Sequence, residues 1–158
     1  MMILIVEGDI ELAELLKSIL RENGYEIMIA NSGAEALELL EEQAPFIMLL
    51  DYSLADMNAE ELINELHKRE KSPPPFIIST GHGDERIAVA MMKLNARDYI
   101  IKDNKYLDNI ANIMDRVAKE IENENKLKEV EIELRDSEKK YRNLSNQLET
   151  ILDHIPGL

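Results

Sequence analysis

Phe46-Ile47-Met48-Leu49-Leu50-Asp51-Tyr52-Ser53 is the stretch on which the fold turns. Five apolar residues in a row, set between Pro45 and a polar turn, read as a strand buried on both faces, as in the interior of a parallel sheet. Asp51 then stands at the carboxyl end of that strand, the edge where open α/β sheets collect ligands and chemistry. A carboxylate there serves as a nucleophile that forms an acyl phosphate, or simply as a turn cap. Its neighbours decide between the two.

Working outward, Met2-Ile3-Leu4-Ile5-Val6 is a second apolar run, followed at once by Glu7-Gly8-Asp9. Apolar residues then recur at helical spacing from Ile10 to Leu20, and Asn23-Gly24 closes the pattern with a left-handed cap. Tyr25 to Ala30 is a short strand, and Asn31-Ser32-Gly33 opens a helix that stops before Pro45. Beyond Asp51, Ala59 to Arg69 carries one apolar stripe, and Ser72-Pro73-Pro74-Pro75 is a connector that cannot be helix interior. Phe76 to Thr80 is a fourth strand, ending in Gly81-His82-Gly83. A helix with Met91-Met92 packed on the sheet leads to a fifth strand, Asp98 to Lys102. Alternating strands and helices predict an α/β fold, a doubly wound five-stranded parallel sheet of order 2-1-3-4-5. That order brings Glu7, Asp9, Asp51, Thr80 and Lys102 to one crevice.

Phosphoryl transfer to a carboxylate needs a nucleophile, a hard cation and fixed donors around the phosphoryl oxygens. Asp51 supplies the first. Glu7, Asp9, Asp51 and the Ser53 backbone carbonyl offer oxygen ligands for Mg2+. Lys102 and the Thr80 hydroxyl supply the donors.

These stretches resemble the receiver domain of two-component response regulators. The resemblance rests on Ile3-Leu4-Ile5-Val6-Glu7, Leu49-Leu50-Asp51-Tyr52-Ser53-Leu54-Ala55-Asp56-Met57, Thr80-Gly81-His82-Gly83-Asp84 and Ala96-Arg97-Asp98-Tyr99-Ile100-Ile101-Lys102-Asp103, and covers residues 1 to about 122. It implies that Asp51 accepts a phosphoryl group from a histidine kinase, that Lys102 and Thr80 engage it, and that Thr80 and Tyr99 move as a switch. It further implies an output surface of fourth helix, fifth strand and fifth helix. The chain departs from the family pattern in three ways. Gly8 replaces the second of two adjacent acids, so Mg2+ affinity is expected to fall, with Asp9 one residue out of register. Ala55 and Ala59 stand where Pro and Gly are common, and Asp103 follows Lys102 in place of Pro. Gly8 therefore keeps a second hypothesis open, a pseudo-receiver that acts as a phosphorylation-independent dimerisation or interaction module. Two other readings fail. A phosphatase lacks its general acid, since Ser53 stands two residues after Asp51, and a dinucleotide site lacks a Gly-rich loop after the first strand.

Composition narrows the rest. The 45% hydrophobic content supports a core, and 4% aromatic makes it an aliphatic one. With no Cys there is no disulfide or thiolate site. A net charge of -14 repels phosphate backbones, so no direct nucleic-acid contact is expected. No apolar run is long enough for a membrane span, and a cytoplasmic protein is expected.

Between Gly83 and Pro156 there is neither Gly nor Pro, so the fifth helix is expected to run from about Lys105 to about Asp153. Ile110, Met114, Val117 and Ile121 form one seam. Leu127, Val130, Leu134, Ser137, Tyr141, Leu144, Leu148, Ile151 and Ile155 form a second, and the two frames differ by a skip near Glu124. A narrow seam with charged flanks predicts a parallel coiled coil and a homodimer. The division expected is a receiver over 1-122 and a coiled-coil linker over 123-158. Leu134 to Leu144 and Ile151 to Leu158 resemble the helix that leads into PAS sensor domains, which implies a PAS or kinase-like output domain further along a longer protein.

Overall fold

The computed structural model describes residues 1–157, and its elements follow the strand and helix alternation of the sequence. Strands β1 (Met2–Val6), β2 (Glu26–Ala30), β3 (Ile47–Asp51), β4 (Phe76–Thr80) and β5 (Asp98–Ile101) form one parallel sheet of order β2-β1-β3-β4-β5. Between them lie α1 (Ile10–Glu22), α2 (Gly33–Glu42), α3 (Ala59–Lys68) and α4 (Glu85–Lys93), and α5 (Tyr106–Asp153) closes the order. All four crossover helices begin on a side chain that accepts a hydrogen bond from the first turn: Asp9, Ser32, Asn58 and Asp84. Asn58 adds a capping box with Glu61.

Each strand presents alternate residues to opposite faces. Leu4, Val6, Met48, Leu50 and Ile78 pack with α2, α3 and α4 residues such as Leu37, Leu62, Ile63 and Met91. Ile3, Ile5, Ile47, Leu49 and Ile77 point the other way, to the face covered by α1 and the first part of α5, where Leu16, Leu20, Ile110, Met114 and Val117 are buried. Two ties hold this part of α5: the Tyr25 hydroxyl donates to Asp115, and Arg116 pairs with Asp98.

Three expectations shift in detail. The second strand starts at Glu26 rather than Tyr25, because the Tyr25 amide still donates to the Leu20 carbonyl at the end of α1, at 3.2 Å. Of Met91-Met92 only Met91 is buried, since the next residue on a helix turns about 100° away. Left-handed backbone occurs after α1 at Gly24, as expected, and also at Glu70 and Asn95, which follow α3 and α4.

The chain divides into two compact units, Met1–Ala118 and a second beginning at Lys119. In the second unit, Leu127, Val130, Leu134, Leu144, Leu148 and Ile151 are each more than half exposed along the helix.

Candidate functional site

β1 and β3 end side by side and β5 ends one strand further along, beyond β4; Glu7 follows β1, Asp51 ends β3 and Lys102 follows β5. Glu7 and Asp51 are buried, at 3% and 8% exposure, and their carboxyls face each other. The Lys102 ammonium reaches both, pairing with Glu7 and lying 3.1 Å from Asp51 Oδ1. Two buried carboxylates therefore share one cation, leaving one negative charge in surplus. Burial, with Asp51 alongside, pushes the Glu7 carboxyl above the usual range, and Lys102 pulls it partly back.

That surplus bears on whether Mg2+ fits. Two carboxylates with a carbonyl suit a cation that takes one or two carboxylates and keeps several waters. Both bonds of the bridge between Ser53 and Asn58 run between neighbours, Leu54 N–H to Met57 and Ala59 N–H to Tyr52, so the bridge does not use the Ser53 carbonyl. Gly8 contributes no side chain. Asp9 is drawn into other work, its Oδ1 accepting from the Leu12 amide at 3.1 Å as the cap of α1. Among the described residues no three His, Cys, Asp or Glu side chains gather as a ligand cluster. The set fits Mg2+ within its usual count of one or two carboxylates.

Thr80 and Tyr99 meet at one main-chain atom. The Thr80 hydroxyl donates to the His82 carbonyl at 3.2 Å, and the Tyr99 hydroxyl donates to that same carbonyl at 3.3 Å. Neither hydroxyl is bonded to Asp51 or Lys102 among the described residues, although the Lys102 amide donates to the Thr80 carbonyl at 2.7 Å. The β4 loop, not the carboxylate cluster, holds both.

Two residues escaped the sequence reading. Asp56 accepts from the Gly33 and Ala34 amides, both at 2.9 Å, so the loop after β3 clamps the start of α2. Those two bonds hold the Asp56 carboxyl below the usual range. Tyr106, the first residue of α5, is 3% exposed, and its hydroxyl has no hydrogen-bond partner although the Ser79 hydroxyl stands beside it. A signal for it existed: Tyr106 precedes Ile110, Met114 and Val117 at the same helical spacing.

An acid pair bridged by lysine at the carboxyl edge of a 2-1-3-4-5 sheet is matched by family comparison, in which the response regulator receiver domain fits residues 3–118. The chain belongs to that family. Among curated relatives, the transcriptional regulatory protein ZraR of Escherichia coli K12 is 36% identical over 100 residues, 63% of this chain and 22% of that protein. The chain thus spans about a fifth of that relative's length. Among solved structures, the signal receiver domain of a LuxO repressor protein from Vibrio parahaemolyticus superposes with a TM-score of 0.72 at 26% identity, covering 80% of this chain and 95% of that one. The response regulator TrrA of Thermotoga maritima, solved with Mg2+ and BeF, gives 0.62 at 27% identity over 73% of this chain and 97% of its own. This receiver is consistent with phosphorelay signalling, and among its described residues no helix is long and apolar enough to cross a membrane.

Proposed function

We propose that this receiver accepts a phosphoryl group on Asp51 from a histidine kinase. A carboxylate oxygen of Asp51 attacks phosphorus, the phosphorus–nitrogen bond of the phosphohistidine breaks, and the imidazole nitrogen keeps the electron pair. The observation that carries the reading is Lys102 held against both Glu7 and Asp51. Its ammonium keeps Asp51 in place before transfer and stays within reach of a phosphoryl oxygen afterwards. Thr80 leaves the His82 carbonyl to donate to another phosphoryl oxygen, which frees Tyr99 to turn. Mg2+, when bound by Glu7, Asp51 and the Ser53 carbonyl, with Asp9 as the further acid, neutralises charge on the phosphoryl oxygens.

Residues 1–122 serve as the receiver and 123–158 as its linker. The exposed seam of the linker forms a parallel coiled coil with a second copy, and the homodimer passes the change to a PAS or kinase-like output domain. The setting is the cytoplasm, with no direct nucleic-acid contact by this segment.

Mass spectrometry after incubation with Mg2+ and a small-molecule phosphodonor, beside Asp51→Asn, tests the reading. One phosphoryl gain that requires both Mg2+ and Asp51 is expected. Gly8 favours a second reading, a pseudo-receiver that works as a dimerisation module. No gain together with no Mg2+ binding would replace the first reading with it.

A further inference from the structure

Ser79 and Thr80 are adjacent in β4, so their side chains lie on opposite faces of the sheet. Thr80 faces the side of Tyr99 and α4, since Thr80 pairs with Ile101 and Tyr99 with Ile78 of that core. Ser79 pairs in register with Asp51 and Ile100, and it faces α5. There it meets Tyr106, whose hydroxyl is buried without a partner. A buried hydroxyl left unpaired is unfavourable, and such groups call for an explanation. Burial holds this phenol in the protonated, donor form; the nearby Ser79 hydroxyl pulls the other way, and the charges of Glu7 and Asp51 are near enough to reinforce the effect of burial.

We propose that Tyr106 is a positioning residue that couples the charge of the carboxylate site to the first turns of α5 through Ser79, on the sheet face opposite Thr80 and Tyr99. In the present charge state its hydroxyl is a donor held in reserve. A change of charge at Asp51 reorients the Ser79 hydroxyl and completes the Tyr106-to-Ser79 hydrogen bond, which moves the residue that starts α5. The site thus has two readers, one per face: Thr80 for α4 and Ser79 for α5. The proposal rests on phosphorylation for its trigger, but the coupling itself needs only a change of charge.

The test is a double-mutant cycle on the full chain, read as amide hydrogen exchange over residues 109–113. Asp51→Asn alters the charge without any phosphodonor. Exchange there is expected to change by about fivefold or more on Asp51→Asn, and by under about twofold when Tyr106→Phe is already present, a non-additivity that a merely structural tyrosine does not give. Ser79→Ala is expected to uncouple in the same way, while leaving the aromatic ring untouched. Equal changes in both backgrounds, or none in either, would overturn the coupling. Phosphorylation counted separately by mass spectrometry distinguishes the two levels: a coupled chain that takes no phosphoryl group overturns the proposed function and leaves this inference standing.

Discussion

Removing the Tyr106 hydroxyl is expected to stabilise the receiver, contrary to the usual effect of trimming a buried side chain. An unsatisfied buried polar group costs about 1–3 kcal/mol, and the Tyr106 hydroxyl has no partner. Tyr106→Phe keeps the ring in its place and opens a void on the order of 10 Å3, which at roughly 24 cal/mol per Å3 costs only a few tenths of a kcal/mol. The net expectation is a gain of about 1 kcal/mol. For a unit of this size the unfolding entropy is about 0.25 kcal/mol/K, so Tm should rise by about 4 °C. Urea titration should show a higher midpoint at unchanged slope. Alkali supplies a second arm. Because the folded phenol is raised above its unfolded value of about 10, its contribution is fully present below that pH and is lost as pH rises beyond it. The advantage of Tyr106→Phe should therefore widen above about pH 10. A loss of about 1 kcal/mol at neutral pH would mean that the hydroxyl is already satisfied, and the reserve-donor argument would be refuted.

Four further outcomes follow from named contacts. A Cβ at residue 8 would meet only the Asn31 carbonyl, at 3.8 Å, so Gly8→Asp fits. With a carboxylate about 5 Å from a dication worth roughly 1.7 kcal/mol in water-like surroundings, it should tighten Mg2+ binding at least about tenfold by calorimetry; unchanged affinity would place the cation elsewhere. Asp56→Ala removes both bonds to α2 and should cost about 1 kcal/mol at pH 7. Since the folded carboxyl is lowered, that stability is present above the unfolded value of about 3.9 and lost as pH falls through the folded one, so the two proteins should converge in acid. Glu70→Gly relieves a positive φ of 57° and should add about 0.5–1 kcal/mol in urea titration. Leu134→Asp should make the chain monomeric in sedimentation while the urea midpoint of the receiver stays put; a dimer that persists would rule out the seam.

The sheet was legible because β1, β3 and β4 are continuous apolar runs, a pattern that only a strand covered on both faces needs. The same runs announced where Glu7, Asp51 and Thr80 stand, and the fifth strand placed Lys102, since strand ends fix position by counting. What could not be counted is where a loop side chain turns. Asp9, read as a ligand, also caps α1, a second role signalled by an acid just before the first apolar-periodic residue. Asp56 drew no role from the sequence; its part depends on α2 lying alongside, which no local pattern encodes. Tyr106 was hidden differently: its spacing showed the buried stripe, but the missing partner is a matter of geometry.

The shared acceptor of Thr80 and Tyr99 is a main-chain carbonyl, and this affects how the loop tolerates change. His82 can be exchanged for Ala, Ser or Asn without removing the atom on which both hydroxyls rest. An alanine scan across Gly81-His82-Gly83 would return a flat profile at residue 82 and suggest that the position is idle. Only alterations of the backbone path itself, a proline after it or a residue inserted beside it, would expose what the loop holds. The switch is thereby insulated from side-chain drift at the point where its two arms meet.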